Sequence, residues 1–403
     1  MNLRESYKQT EVGIIPEDWK VVKLGDILDY EQPTRYLVET TEYNDSYNIP
    51  VLTAGKTFIL GYTNETEGVF NNKLPVIIFD DFTTASKYVN FPFKAKSSAM
   101  KILKVKNREY PIKLFYEYMK QLNFIPATHK RYWISEYSKF KIPLPPLEEQ
   151  KKIAKILSTT DEKIAFVTKS IEETETLKKG LMQKLLTEGV GHTEFKDSEI
   201  GRIPVEWEVS TLQEVSDFIT KGATPTTYGF KWEESGIPFL RSECVTSKGL
   251  NLKGAMFISS EANEYMNRSE IKSGDLLMTI TGNVGKVIVL EDSFLSGNIN
   301  QHIARIRVSS KNVDKLFIYH FLSQDKYRMN YYKITTGQAY PQISLKQVRE
   351  SKFPLPSLEE QQQISKILST TDEKLEKLRE KKESFEELKK GLMQKLLTGE
   401  IRV

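Results

Sequence analysis

The stretch Lys141–Thr187, KIPLPPLEEQKKIAKILSTTDEKIAFVTKSIEETETLKKGLMQKLLT, returns as Lys352–Thr398, KFPLPSLEEQQQISKILSTTDEKLEKLREKKESFEELKKGLMQKLLT. About two-thirds of the positions are identical at one offset of 211 residues. Two copies are too few for a solenoid, which needs three or more repeats to bury a continuous core. They predict internal two-fold symmetry instead.

Each copy reads as a short helix, a break and a long helix. Pro145 and Pro146, or Pro356 and Ser357, stop what precedes. Leu147, Ile153, Ile156 and Leu157 then recur at helical spacing, and Glu148 and Glu149 suit the positive end of a helix. Ser158, Thr159 and Thr160 interrupt the pattern, and Thr159 with Glu162 has the spacing of a capping box, so a second helix is expected there. It runs to about Leu186, with Gly189 as its stop; the second copy runs from Thr370 to Leu397, with Gly399 after it. Roughly 27 residues at ~1.5 Å each make a rod of ~40 Å. Its apolar positions are Ile164, Val167, Ile171, Leu177, Leu181 and Leu185; in the second copy they are Leu375, Leu378, Phe385, Leu388, Leu392 and Leu396. Polar gaps fall at Thr174 and Lys382. A stripe this narrow fits a two-stranded coiled coil, antiparallel as two-fold symmetry requires. The alternative is that each rod lies on its own neighbouring domain.

A second repeat lies upstream. Val12-Gly13-Ile14-Ile15-Pro16-Glu17-Asp18-Trp19 matches Ile200-Gly201-Arg202-Ile203-Pro204-Val205-Glu206-Trp207 at an offset of 188. The order is therefore a G-x-I-P-x-x-W lead, a globular region and a helical pair, twice over. The globular regions align poorly, so the helices read as a shared frame carrying two different readers. In the first region, Pro50–Leu52 and Pro75–Phe79 read as strands, Asp80–Thr84 as a loop and Ile112–Leu122 as an amphipathic helix. In the second, Ile237–Leu240 reads as a strand, Asp275–Ile280 and Lys286–Leu290 as a strand-turn-strand around Thr281–Gly285, and Lys315–Leu322 as a helix. Glu188–Glu199 is a polar linker.

The chain has 403 residues, 39% hydrophobic and 28% charged, with a formal net charge of +4. That permits two or three domains with real cores and says little about partners. Charge is locally uneven. Residues 101–141 hold ten Lys or Arg against three acids, and so do residues 305–352. Tyr132, Trp133 and Tyr137 interleave the first stretch, and Tyr331, Tyr332 and Tyr340 the second. Two such faces suit phosphate contact beside base reading; the competing reading is a solvated basic face with its aromatics in the core. The single Cys244 and the lack of an apolar N-terminal run predict a reduced, cytoplasmic setting. No run is apolar enough to span a membrane.

Chemistry is sparse. There is no G-x-x-x-x-G-K-[ST] loop, and Gly282-Asn283-Val284-Gly285-Lys286 has the wrong spacing for one. No Asn/Asp-Pro-Pro-aromatic tetrapeptide of the kind amino-methyltransferases use on a flipped base occurs. Asp80 and Asp81 lack the further acid and lysine of a nuclease centre and read as a polar loop. His129, His192, His302 and His320 are scattered, so no metal site is expected. No cofactor and no catalytic residue are expected.

In layout, and in the tracts Ile142–Gln150 and Phe353–Gln361, the chain resembles the specificity subunits of type I restriction-modification systems. Gly274-Asp275-Leu276-Leu277, Thr281–Lys286 and Asn300-Gln301 are similar to that family's second recognition domain. The resemblance covers essentially the whole chain; Ser357 departs from the proline of the first tract. It implies a non-catalytic reader of double-stranded DNA. Two target-recognition domains each read half of a split target, and the helices set the unread spacer. Those helices also dock two adenine-methylating modification subunits carrying S-adenosylmethionine, while a motor-nuclease subunit joins for cleavage. Half-sites one turn apart lie ~34–36 Å apart, within reach of a ~40 Å rod. The predicted fold is α+β: two mixed α/β target-recognition domains joined by an antiparallel coiled coil with pseudo-two-fold symmetry. Its expected boundaries are 1–140, 141–189, 190–351 and 352–403. DNA-contact candidates are Thr83, Thr84, Lys87, Lys130, Arg131 and Tyr132, then Arg241, Ser242, Thr281, Asn283, Gln301, Tyr340 and Gln342, since such groups suit major-groove edges. Partner-docking candidates are Glu148, Gln150, Leu181 and Met182, with Glu359, Gln361, Leu392 and Met393. Two rivals are a self-contained DNA enzyme and a coiled-coil interaction scaffold without DNA specificity.

Overall fold

The computed structural model describes residues 7–55, 57–122, 124–126, 130–336 and 341–403. The chain forms two compact units, Met1–Lys169 with Arg379–Val403, and Ser170–Leu378.

In the first unit, the lead folds as a hairpin of Tyr7–Thr10 and Gly13–Pro16, and Lys20–Lys23 pairs antiparallel with Lys141–Leu144. The reader is built on a four-stranded antiparallel sheet in the order Leu28–Glu31, Met100–Val105, Val76–Asp80, Ser86–Val89. The run Val76-Ile77-Ile78-Phe79 is wholly buried because the sheet is covered on both sides. Alternation sends Ile77, Phe79 and Leu103 into one core and Val76, Ile78 and Ile102 into another. The helix Ile112–Gln121 covers the first of these with Leu114, Phe115 and Tyr118. A smaller sheet of Ile59–Thr63, Ile49–Leu52 and Lys94–Ala95 carries a parallel pair, Val51 against Lys94.

The second unit repeats this design. Its antiparallel sheet runs Ser216–Lys221, Ile303–Val308, Leu276–Thr279, Val287–Val289. Leu276, Met278 and Ile306 face one core; Leu277, Ile288 and Ile303 face the other. The smaller sheet has four strands, Met256–Ile258, Ile237–Leu240, Gly297–Ile299 and Glu270–Ile271, again with a parallel pair at its centre. The helix Lys315–Leu322 is capped by Asp314, whose Oδ1 accepts the N–H of Leu316 (2.6 Å) and Phe317 (3.1 Å). Regions that align poorly in sequence thus share one strand order.

The long helices correct the expected break. Leu147–Leu185 and Leu358–Leu396 are each continuous over 39 residues, ~58 Å at the α-helical rise. The threonines do not cap a new helix. Thr160 Oγ1 donates to Ile156 O (2.9 Å) and Thr371 Oγ1 to Ile367 O (2.9 Å), so each hydroxyl is satisfied one turn back inside the helix. Gly189 and Gly399 follow the helix ends at φ +68° and +75°.

The helices pair antiparallel within each unit. In the first, Asp161 meets Lys389 while Lys163 lies over Phe385, so one number rises as the other falls. In the second, Lys178 meets Asp372, and Leu185 shares a core with Ile364 and Leu368. The expected stripe needs one amendment. Leu177 and Leu388, equivalent in the repeat, are about half exposed, whereas Thr174 and Lys389 are buried. Thr174 Oγ1 donates to Ser170 O (2.7 Å) and Lys389 is neutralised by carboxylates, so neither polar group is left unpaired.

Candidate nucleic-acid interface

In each unit the hairpin that ends the larger sheet presents a polar tip, braced by the segment that follows the reader helix. In the first unit Asp80 Oδ1 accepts the N–H of Phe82 (3.0 Å) and Thr83 (2.7 Å). Asp81, buried, accepts the N–H of Tyr132 on its carbonyl and that of Trp133 on Oδ1 (both 2.8 Å). Its other oxygen lies 3.2 Å from the buried Lys101 Nζ. Asp80 and Asp81 are thus consumed in building the loop, and Asp81 does have a lysine beside it, which the sequence did not show. Asp81 staples the tip to the Arg131–Trp133 segment, so Thr83, Thr84 and the exposed Arg131 lie on adjoining loops. Thr84 has φ +59°, an uncommon and strained conformation for a β-branched residue, of the sort that gathers at functional loops.

In the second unit the tip is Ile280–Gly285. Thr279 Oγ1 donates to Asn283 O (2.6 Å) and accepts Lys286 N (3.0 Å). Gly282 N donates to Pro341 O (2.8 Å) and Gly285 N to Thr279 O (2.8 Å). These donors are spent within the fold, which agrees with a turn rather than a phosphate cradle. Thr281 bridges Gln342 through the backbone. The exposed Asn283 receives Arg328 Nη2 and Tyr332 OH on Oδ1. Thr281, Asn283 and Gln342 therefore come together, joined by Arg328 and Tyr332 from the helix Asp325–Lys333. Neither of those two was a contact candidate; their i, i+4 spacing on one helical face was the available signal. Arg241, Ser242 and Gln301 lie just beyond the ends of the parallel strands Ile237–Leu240 and Gly297–Ile299.

Several candidates are placed otherwise than expected. Tyr132 is buried, its ring 5.2 Å from Phe124; Trp133, Tyr137 and Tyr331 are likewise core residues. Thr281 is buried too. Lys87 is half-buried with its ammonium 5.9 Å over Phe58, and Lys130 is exposed but paired with Glu136. Arg241 spends Nε and Nη2 on Gly254 O (3.2 and 3.1 Å) and pairs with Glu243. Gln301 Oε1 accepts from Thr224 Oγ1 (3.1 Å). Tyr340 lies outside the described residues. The basic stretches also present less charge than their counts. Lys104 pairs with Glu31, Lys141 with Glu11, Arg307 with Asp275 and Lys352 with Glu199. Arg305 is buried on Glu270 O.

Gln150 and Gln361 are buried rather than on a docking face. Their amides donate to Pro145 O (2.8 Å) and Pro356 O (2.9 Å), tying each long helix to the strand before it. Glu148 and Glu359 are exposed. Leu181, Met182, Leu392 and Met393 are half-buried against the core of their own unit. The second acid of each tract has a structural task that the sequence did not reveal. Trp19 Nε1 donates to Glu149 Oε2 (3.0 Å) and Trp207 Nε1 to Glu360 Oε2 (2.9 Å). Around the first pin, Arg402 bonds Glu149 (2.7 Å) and Asp18 (2.8 Å); around the second, His192 lies 3.0 Å from Glu360 and 3.4 Å from Glu206. Among the described residues no three His, Cys, Asp or Glu are grouped to hold a metal, and no helix is long and apolar enough to cross a membrane.

Duplicated readers with unlike tips, carried on repeated helices, define a two-part recognition protein. The chain belongs to the type I restriction modification DNA specificity domain family, whose model matches residues 16–176 and 204–386. It is 34% identical over 380 residues to the EcoR124I/EcoR124II type I restriction enzyme specificity subunit of Escherichia coli, covering 91% of this chain and 89% of that one. It is 32% identical to the MjaVIII specificity subunit of Methanocaldococcus jannaschii, over 99% and 96% of the two chains. The fold matches the crystal structure of a type I restriction-modification S subunit from M. genitalium with a TM-score of 0.68 at 17% identity, over 98% and 97% of the two chains.

Proposed function

We propose that this chain is the DNA sequence-reading subunit of a type I restriction-modification enzyme. Its readers, within residues 1–140 and 190–351, each recognise one half of a split, asymmetric target. The observation that carries this reading is the pairing of one strand order with two different hairpin tips. Thr83 and Thr84 beside Arg131 form the first; Asn283 with Gln342, Arg328 and Tyr332 form the second. One scaffold offering two unlike sets of hydrogen-bonding groups suits two unlike base sequences.

The chain itself performs no chemistry in this reading. Methylation belongs to modification subunits docked on the helical frame, for which Glu148, Leu181 and Met182, and their repeats Glu359, Leu392 and Met393, are the candidates. A motor-nuclease subunit would add cleavage, and the helices would fix the unread gap. The test is methylated-base mapping after co-expression with the neighbouring modification subunit. N6-methyladenine in one split motif with unequal halves and a fixed gap is expected. A stable assembly that leaves DNA without any new methylated motif would replace this reading with that of an interaction scaffold.

A further inference from the structure

The hydrogen bonds around Asn283 decide which way its amide faces. An arginine can only donate, so the Asn283 atom that meets Arg328 Nη2 is the carbonyl oxygen. Tyr332 OH reaches the same oxygen at 3.1 Å. A carboxamide oxygen has two lone pairs, and both are taken. What remains for a ligand is Nδ2 with its two hydrogens. The backbone beneath is equally constrained, because Asn283 O is held by Thr279 Oγ1 at 2.6 Å and Gly282 N by Pro341 O at 2.8 Å. Asn283 is exposed, so this donor pair is open to a partner.

An asparagine that reads adenine in the major groove uses both ends of its amide: oxygen to the N6 amino group and nitrogen to N7. Asn283 cannot do so while its oxygen is engaged. A donor-only amide matches an edge of two adjacent acceptors, and in the major groove that edge is guanine O6 and N7. We propose that Asn283 reads a guanine in the second half-site, and that Arg328 and Tyr332 are positioning residues that exclude adenine there by occupying Asn283 Oδ1. This rests on the DNA-reading function proposed above and adds the base class and the residues that set it.

The test uses the full chain assembled with its modification subunit, with methylated-base mapping and competition by duplexes altered one base pair at a time. Asn283→Ala is expected to cost roughly tenfold in discrimination at one guanine of the second half-site, leaving the first half-site unchanged. Arg328→Ala frees the amide to turn, so adenine is admitted at that same position. Arg328→Lys, which keeps a donor, restores the preference for guanine. Tyr332→Phe keeps the ring and relaxes the position partially, which covers the case of an Asn283 variant that fails to fold. If these variants leave every position of a methylated split motif unchanged, or the relaxed position is an adenine in the wild type, the inference falls and the DNA-reading function stands. If the wild-type assembly methylates no defined motif, both fall together.

Discussion

Lys389 and Asp161 in the first unit hold the same repeat positions as Lys178 and Asp372 in the second, and each pair closes a joint between the long helices and a reader helix. What the reader contributes differs. The first sends Lys113, 2.6 Å from Asp161 and 2.8 Å from Glu117, and the wholly buried Glu117 lies 3.3 Å from Lys389. Burial works to raise the Asp161 carboxyl, but hydrogen bonds from Lys113 and Lys389 outweigh it and hold the group below its ordinary value. The second reader sends His320, whose Nε2 is 3.0 Å from Ser369 Oγ and whose Nδ1 is 3.9 Å from Asp372. Burial, with Lys178 nearby, pushes His320 down to about 3, so it is neutral. The repeat supplies one Lys–Asp pair; the reader decides whether the joint around it is ionic or neutral.

The largest effect is expected at Glu117. Glu117→Leu would leave Lys113, Lys120 and Lys389 gathered around an apolar side chain. Breaking a buried ionic network in this way costs about 3–5 kcal/mol. Peptide-resolved hydrogen exchange should show the first unit opening while the second is unchanged; equal loss in both would end the comparison.

Acid should separate the joints next. His320 has a folded value below its ordinary 6.5, so between those values the unfolded chain binds a proton that the folded one refuses. Stability of the second unit therefore falls as pH drops below 6.5, by up to about 1.4 kcal/mol per pH unit. Asp161, also depressed, stabilises the first unit above its ordinary carboxylate value, and loses that contribution only as pH falls lower still. Urea unfolding from pH 7 to pH 5 should weaken the second unit first, and His320→Gln should flatten its slope. A slope that survives this change would place the titrating group elsewhere.

The indole pins offer a subtler contrast. Glu149→Gln keeps an acceptor for Trp19 but removes one carboxylate partner of Arg402, which keeps Asp18, at a cost of about 1–2 kcal/mol. The same change at Glu360 meets an imidazole and the Val190 N–H (2.9 Å) instead of a guanidinium and should cost less by thermal unfolding. Smallest of all, Lys178→Ala should cost at most about 1 kcal/mol, since that pair is partly exposed. Lys389→Ala, at a buried lysine with two carboxylate partners, should cost clearly more.

The repeated helices were legible because sequence repeats need no tertiary knowledge. The Ser-Thr-Thr break was misread because a hydroxyl can cap a new helix or bond back into an existing one, and the letters are the same in both cases. The stripe failed at Leu388 for a tertiary reason: the adjoining Lys389 is buried by Glu117 and Asp161, acids that come from elsewhere in the chain; at the equivalent Leu177 the adjoining Lys178 turns to Asp372 of the other long helix. Gln150 looked like a surface group and Glu149 like a helix-end acid, yet the partners that bury them are the Pro145 carbonyl and an indole 130 residues away. For the reader tips, turn chemistry located Thr83, Thr84 and Asn283 correctly on loops. It could not show that Tyr132 turns inward, or that Arg328 and Tyr332 reach Asn283 from a separate helix.

The first unit closes through its farthest residues: Arg402 with Asp18, Tyr7 OH with Gly399 O at 3.0 Å, and Leu396 and Leu397 in the core around Trp19. The second unit is one unbroken run of chain. During synthesis the second has all of its parts as soon as residue 378 has emerged. The first waits, with that core incomplete, until residue 397 has left the ribosome. The reader made first is the last to be finished, and the interval is one in which its apolar surfaces are open to chaperones and proteases.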